Sequence, residues 1–204
     1  MDKYLLRTVA AAAAALALAA CSSAPQPTAG TAPAPTTAAA KPAEPVSGKT
    51  AFYAIYKQAR PWATDLVALS LSSGELPGFN NQDGKAALWA AVFASPSLHQ
   101  ARHFTYAIAD AGAVQKGVTA GVAEAWSGAT KEAMPFQNSA FTVDSDAAYK
   151  TAADKAADWL KAHPDKKFSL TLASAARFPA PVWVVMWGDS RLYVNAASGE
   201  LVTK

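Results

Sequence analysis

The stretch Gly188-Asp189-Ser190-Arg191 offers a hydroxyl beside a carboxylate, directly after the strand-like run Val182 to Trp187. A serine nucleophile also needs a base to take its proton and a group to orient that base. The start of one class of esterases is similar, but it relies on an Asp and a His far downstream. Arg191 to Lys204 contains no histidine, so a hairpin turn is the simpler assignment, and no Gly-x-Ser-x-Gly elbow occurs. His99 and His103 stand four apart, a metal-ligand spacing only on a helix. They fall instead where Pro96 opens a loop and an alternating strand begins, which points Phe104 rather than His103 inward. Asp83, Asp144 and Asp146 lack the twelve-residue loop with a closing Glu that calcium needs, so turns and helix caps account for them. Nothing here points to a metal or a cofactor. Glu124-Ala125-Trp126-Ser127-Gly128 is a different case: an aromatic between an acid and a Gly-containing turn could line a pocket, or Trp126 could simply cover a core edge. The six tryptophans could form a binding strip, with Trp89 and Trp183 beside Trp126 and Glu124 as candidates, although most occupy periodic positions expected of a core.

Cys21 is the chain's single cysteine, so no internal disulfide is available. Before it lie a basic start (Lys3, Arg7), an apolar run from Val9 to Ala19, and small residues, the three parts of a secretory signal. The run is shorter than the roughly 20 residues that span a bilayer. Leu18-Ala19-Ala20-Cys21 resembles the lipobox of bacterial lipoproteins. The resemblance implies a signal peptide over 1–20 and a mature chain that begins at a lipidated Cys21, with the lipid bilayer as its partner. Ser22 and Ser23 follow, with no Asp directly after the cysteine; the sorting rule of enterobacterial lipoproteins then implies the periplasmic face of the outer membrane.

Residues 21–48 are mostly Ala, Pro, Thr and Ser, with six prolines from Pro25 to Pro45. Such a composition cannot bury enough apolar surface to offset ordering entropy, so it reads as a disordered linker of polyproline character. From Lys49 onward there are 15 basic and 13 acidic residues. That balance argues against nucleic acid as a partner.

Elements follow from periodicity. Thr50 to Arg60 reads as a helix with Phe52, Ile55, Tyr56 and Ala59 on one face, ended by Pro61. Asp65 to Leu71 reads as a strand with Val67, Leu69 and Leu71 on one side, then a loop from Ser72 to Gly84. Ala86 to Ala94 and Arg102 to Ala109 read as strands, with Gly117 to Ala125 and Phe136 to Val143 as weaker ones. A second helix opens at Asp144-Ser145-Asp146, where either of the first two can cap it, and His163-Pro164 stops it. Strands resume with Phe168, Leu170 and Leu172, then Val182 to Trp187, then Arg191 to Asn195.

The two halves match: Leu88-Trp89-Ala90-Ala91-Val92-Phe93 aligns with Val182-Trp183-Val184-Val185-Met186-Trp187. This predicts an α+β fold from a duplicated α-β-β-β unit, residues 49–125 and 126–204, with helices packed on antiparallel sheet. Pro181 to Trp187, followed by Leu192-Tyr193-Val194-Asn195-Ala196-Ala197-Ser198-Gly199-Glu200, resembles the end of a PepSY domain. Asn195 stands where Asp is usual, and the first half lacks the Gly-Glu ending. The resemblance implies exported or membrane-associated modules that bind or restrain other proteins and lack catalytic residues. The expectation is therefore a tethered, non-catalytic periplasmic module for a protein, peptide or envelope component. Alternatives are a hydrolase with a pocket near Asp189 and Ser190 or Glu124, and a structural envelope lipoprotein.

Overall fold

The computed structural model describes residues 43–203; the predicted signal, Cys21 and most of the linker lie outside them. The elements are α1 (Gly48–Ala59), β1 (Val67–Gly74), β2 (Leu88–Ser95), β3 (Gln100–Ala107), β4 (Gly117–Ala125), α2 (Ser145–Lys155), α3 (Ala157–Ala162), β5 (Phe168–Ala173), β6 (Val182–Trp187) and β7 (Ser190–Asn195). The strands form one antiparallel sheet in the order β4-β3-β2-β1-β5-β6-β7. Each half of the chain supplies a run of hairpin-connected strands, and the two runs meet where β1 pairs with β5. Leu71 faces Leu172 at that seam.

Alternation along the strands decides which face is buried. Trp89, Ala91 and Phe93 of β2 and Leu170 and Leu172 of β5 lie within the core beneath the helices, whereas Ser72 and Thr171 meet on the other face, their hydroxyls 3.2 Å apart. Helix α1 lies over the β1–β4 side and α2 over β6 and β7. Phe52, Ile55 and Ala59 are the inward stripe of α1.

Several expectations need correction. In β1 the register shifts between Ala68 and Ser70. The bulge inverts the side-chain phase, so Ala68 joins Leu71 in the core, and Val67 and Leu69 do not share its face. Phe136 to Val143 is not a strand. Phe136 makes a single bridge to Ala68, Met134 just before the segment makes another to Ser174, and a short 3-10 turn follows at Asn138–Ala140. Its aromatics serve the core instead, with Phe136 5 % and Phe141 1 % exposed, and Pro135 has no amide to give a ladder. The second helix breaks at Ala156 into α2 and α3. Ordered pairing starts before the predicted boundary at Lys49: Val46 exchanges two backbone hydrogen bonds with Ala86, and the Ser47 side chain caps α1.

The N-termini of α1 and α2 meet over the seam. Asp144 caps α2 by accepting from the Ser145 amide at 2.7 Å, and it also accepts from the Lys49 amide of α1 at 2.8 Å. One carboxylate therefore faces the positive ends of two helix dipoles. Beside it Ser145, wholly buried, accepts from the Gly48 amide at 2.7 Å and donates to the Gly84 carbonyl at 2.6 Å. Gly48 itself leaves no room for a side chain, since a Cβ there would lie 2.7 Å from the Trp183 ring. Ser145→Ala is expected to cost about 1–3 kcal/mol, because it leaves a buried donor and a buried acceptor unpaired. Chemical unfolding of the variant checks this; Ser145→Thr should recover part of the loss.

Candidate functional site

The Ser145 contact fixes more than the helices. Gly84 belongs to the turn Gln82-Asp83-Gly84-Lys85, closed by reciprocal Gln82 and Lys85 backbone hydrogen bonds of 3.1 and 2.8 Å. Asp83 has φ +50° and Gly84 φ +76°, the backbone of a two-residue hairpin turn for which Asp-Gly is suited. The turn sits directly on α2, because a Cβ on Gly84 would lie 2.6 Å from the Asp146 Cα. Asn81 braces the same loop, donating to the Gly74 carbonyl at 2.9 Å and accepting from the Ala87 amide at 3.1 Å. A surface loop is thus held as a rigid wall.

Opposite it stands the loop from His163 to Lys167, between α3 and β5. The space between the two walls is a cleft of about 470 Å³, inside the rough 300–1,000 Å³ range of small-ligand sites. Tyr149 and Phe168 form its accessible aromatic floor, and Trp187, 1 % exposed, backs them from the core. The Tyr149 ring lies 4.6 Å from that of Phe168 and 5.7 Å from that of Trp187, centroid to centroid. Phe79 and Leu160 add apolar surface, and Asn80, Gln82 and the wall charges give a polar rim. Burial pushes the Tyr149 phenol up; a hydrogen bond with Trp187 opposes this, and the Asp83 carboxylate adds to it. Tyr149 therefore stays a neutral hydroxyl, able to donate to a ligand in the cleft. At the mouth, Lys167 reaches across to Glu75 at 3.2 Å. Both side chains are about 70 % exposed, 74 % and 69 %, so this clasp contributes little stability.

A second recess, about 430 Å³, lies next to the cleft and is lined by Trp159, His163, Lys166, Asp189 and Ser190. The His163 ring stacks on Trp159 at 4.1 Å with 16° between planes. Its Nδ1 lies 2.8 Å from the Trp159 carbonyl. A carbonyl only accepts, so Nδ1 donates, and in the neutral ring Nε2 carries the lone pair. Among the described residues no hydrogen bond joins Ser190, His163 and Asp189. Gly188-Asp189 forms the two-residue turn between β6 and β7, with Trp187 paired to Ser190 and Gly188 at φ +56°.

The residues singled out from sequence do not assemble. Trp89 and Trp183 are core, each 0 % exposed, so a solvent-borne ligand cannot reach them; the corrected role of both is structural. Glu124 lies at the end of β4 and Trp126 just beyond it, at one edge of the sheet, whereas Asp189 lies in the turn before β7 and Ser190 starts that strand at the other edge. His103 points away from the buried face while Phe104 is 2 % exposed. Among the described residues no three His, Cys, Asp or Glu side chains cluster as metal ligands, and no helix is long and apolar enough to cross a membrane. Tyr149, Phe168 and Trp187 were legible only as apolar-stripe and strand positions; nothing in their spacing marks them as one surface.

Comparison with protein-family models, curated proteins and solved structures gives no match for this chain.

Proposed function

We propose that the chain is a lipoprotein anchored through Cys21 to the periplasmic face of the outer membrane, carrying a non-catalytic module that binds a protein, peptide or envelope component. The observation that carries the binding reading is the cleft: an aromatic floor between two walls, one of them locked by Ser145 and Asn81. The anchor reading rests on Leu18-Ala19-Ala20-Cys21 alone.

The module is read as a tandem of PepSY-like units. Its support is an internal correspondence that extends beyond the matching sequence. The Trp89 indole donates to the Val46 carbonyl at 3.1 Å, and the Trp183 indole donates to the Val143 carbonyl at 2.9 Å. Each carbonyl belongs to the residue just before the cap of a helix, Ser47 for α1 and Asp144 for α2. Aligned tryptophans in β2 and β6 thus make the same contact to the same point of their own halves. The first half departs from α-β-β-β by adding β4.

A second reading, hydrolysis at Asp189 and Ser190, draws on their sharing a recess with His163. It lacks the hydrogen bonds that link a nucleophile to its base.

A crosslinking pull-down of the anchored protein from its own cells tests the binding reading. A defined partner or envelope polymer is the expected product. Recovery of none, at a crosslinking density that captures control complexes, counts against it.

A further inference from the structure

The charges around the cleft are segregated by wall. Among its lining residues, the loop after β1 contributes the carboxylates Glu75 and Asp83 and no cation, whereas the loop after α3 contributes Lys166 and Lys167 against one carboxylate, Asp165. Glu75 and Lys167 already meet across the mouth. Asp83 and Lys166, both exposed, remain on opposite sides of the floor formed by Tyr149 and Phe168, with Trp187 buried behind it. Asp83 stands beside the floor, lining the same space as Tyr149. The Lys166 side chain runs past the Gly188 turn, its Cδ 3.5 Å from where a Cβ of that glycine would be. A concave site with walls of opposite sign favours a ligand whose own charges are opposed in the same way and resists one of a single sign.

Resting on the reading of the cleft as the binding site, we infer that its occupant is a dipolar peptide segment. A basic side chain lies against Asp83, an aromatic or long aliphatic side chain rests on the floor, and a carboxylate meets Lys166. The apolar contact supplies most of the affinity, through buried area and ring packing. The charge pairs are exposed and supply mainly selectivity and orientation.

Three short peptides separate these contributions: Ac-Lys-Phe-Glu-NH2, Ac-Lys-Phe-Lys-NH2 and Ac-Glu-Phe-Glu-NH2, with Ac-Lys-Ala-Glu-NH2 to remove the ring. They are titrated into the full mature chain carrying Cys21→Ala, with the Trp187 indole N–H followed by NMR. The dipolar aromatic peptide should bind on the order of tenfold more tightly than either single-sign peptide, and the preference should shrink at about 1 M salt. Lys166→Glu should transfer the preference to Ac-Lys-Phe-Lys-NH2. Asp83→Asn, which suits the same left-handed turn, should reduce the discrimination while leaving the fold intact. Equal binding of all three charged aromatic peptides overturns the inference and leaves the cleft as a site. Failure of every peptide to move the Trp187 signal, in a chain whose other signals stay native, overturns both.

Discussion

Trp183→Ala is expected to lower the unfolding free energy by about 3–5 kcal/mol, the range for removing a large aromatic from a packed interior. The side chain has no exposed surface. Its ring meets Trp89 edge-on at 6.3 Å and Phe141 at 6.4 Å, centroid to centroid, and closes against Gly48 at the start of α1. Truncation empties the place where both halves touch and also strips the Val143 carbonyl of its indole donor. Collapse into the space is limited, because the neighbouring helix ends are fixed by Asp144 and Ser145. Urea unfolding of the soluble chain measures the effect. Combined with Trp89→Ala it should give a coupling of about 0.5–1.5 kcal/mol, as expected for aromatic neighbours beyond buried area. A single-variant loss below about 1 kcal/mol, the level of an ordinary substitution, would contradict the assigned role of this pair.

Cys21→Ala is expected to move the protein almost completely from the membrane to the soluble fraction, with the domain still folded. The expectation follows from the proposed lipoprotein anchor: one acyl chain binds only marginally, two signals or more anchor stably, and a chain lipidated at Cys21 would lose its lipid attachment with the thiol. The near balance of charge after Lys49 gives the domain no strong attraction of its own to an anionic surface. Fractionation followed by unfolding of the released protein tests both halves of the statement. Retention on membranes would assign anchoring to the domain.

The fold's ingredients were readable because they depend on local patterns. The α1 stripe, a cap at Asp144 or Ser145, and the Trp89 and Trp183 strands follow from periods of 3.6 and 2 and from cap chemistry; the structure assigns the cap to Asp144. The bulge at Leu69 was not readable, since one inserted residue leaves composition unchanged while inverting the phase of what precedes it. Phe136 to Val143 misled for a related reason: its apolar residues satisfy a core without joining a ladder. The cleft was least legible of all. Its walls come from residues 75–83 and 163–168, brought together by the pairing of β1 with β5, a contact between positions about a hundred residues apart whose partner choice no local signal encodes. Asp83-Gly84 and His163-Pro164 were recognised as punctuation, and each is that; their second role, as parts of the walls, exists only once the sheet is assembled.

The central claim is that the cleft, and no other surface, engages the partner. A photocrosslinking amino acid placed at Gln82 on the cleft rim, or at Lys57 on the exposed side of α1, tests it in cells producing the full-length chain. The account predicts an adduct of defined mass from position 82, weakened in a Lys166→Glu background, and none from position 57. An adduct from position 57 with none from position 82 would contradict it.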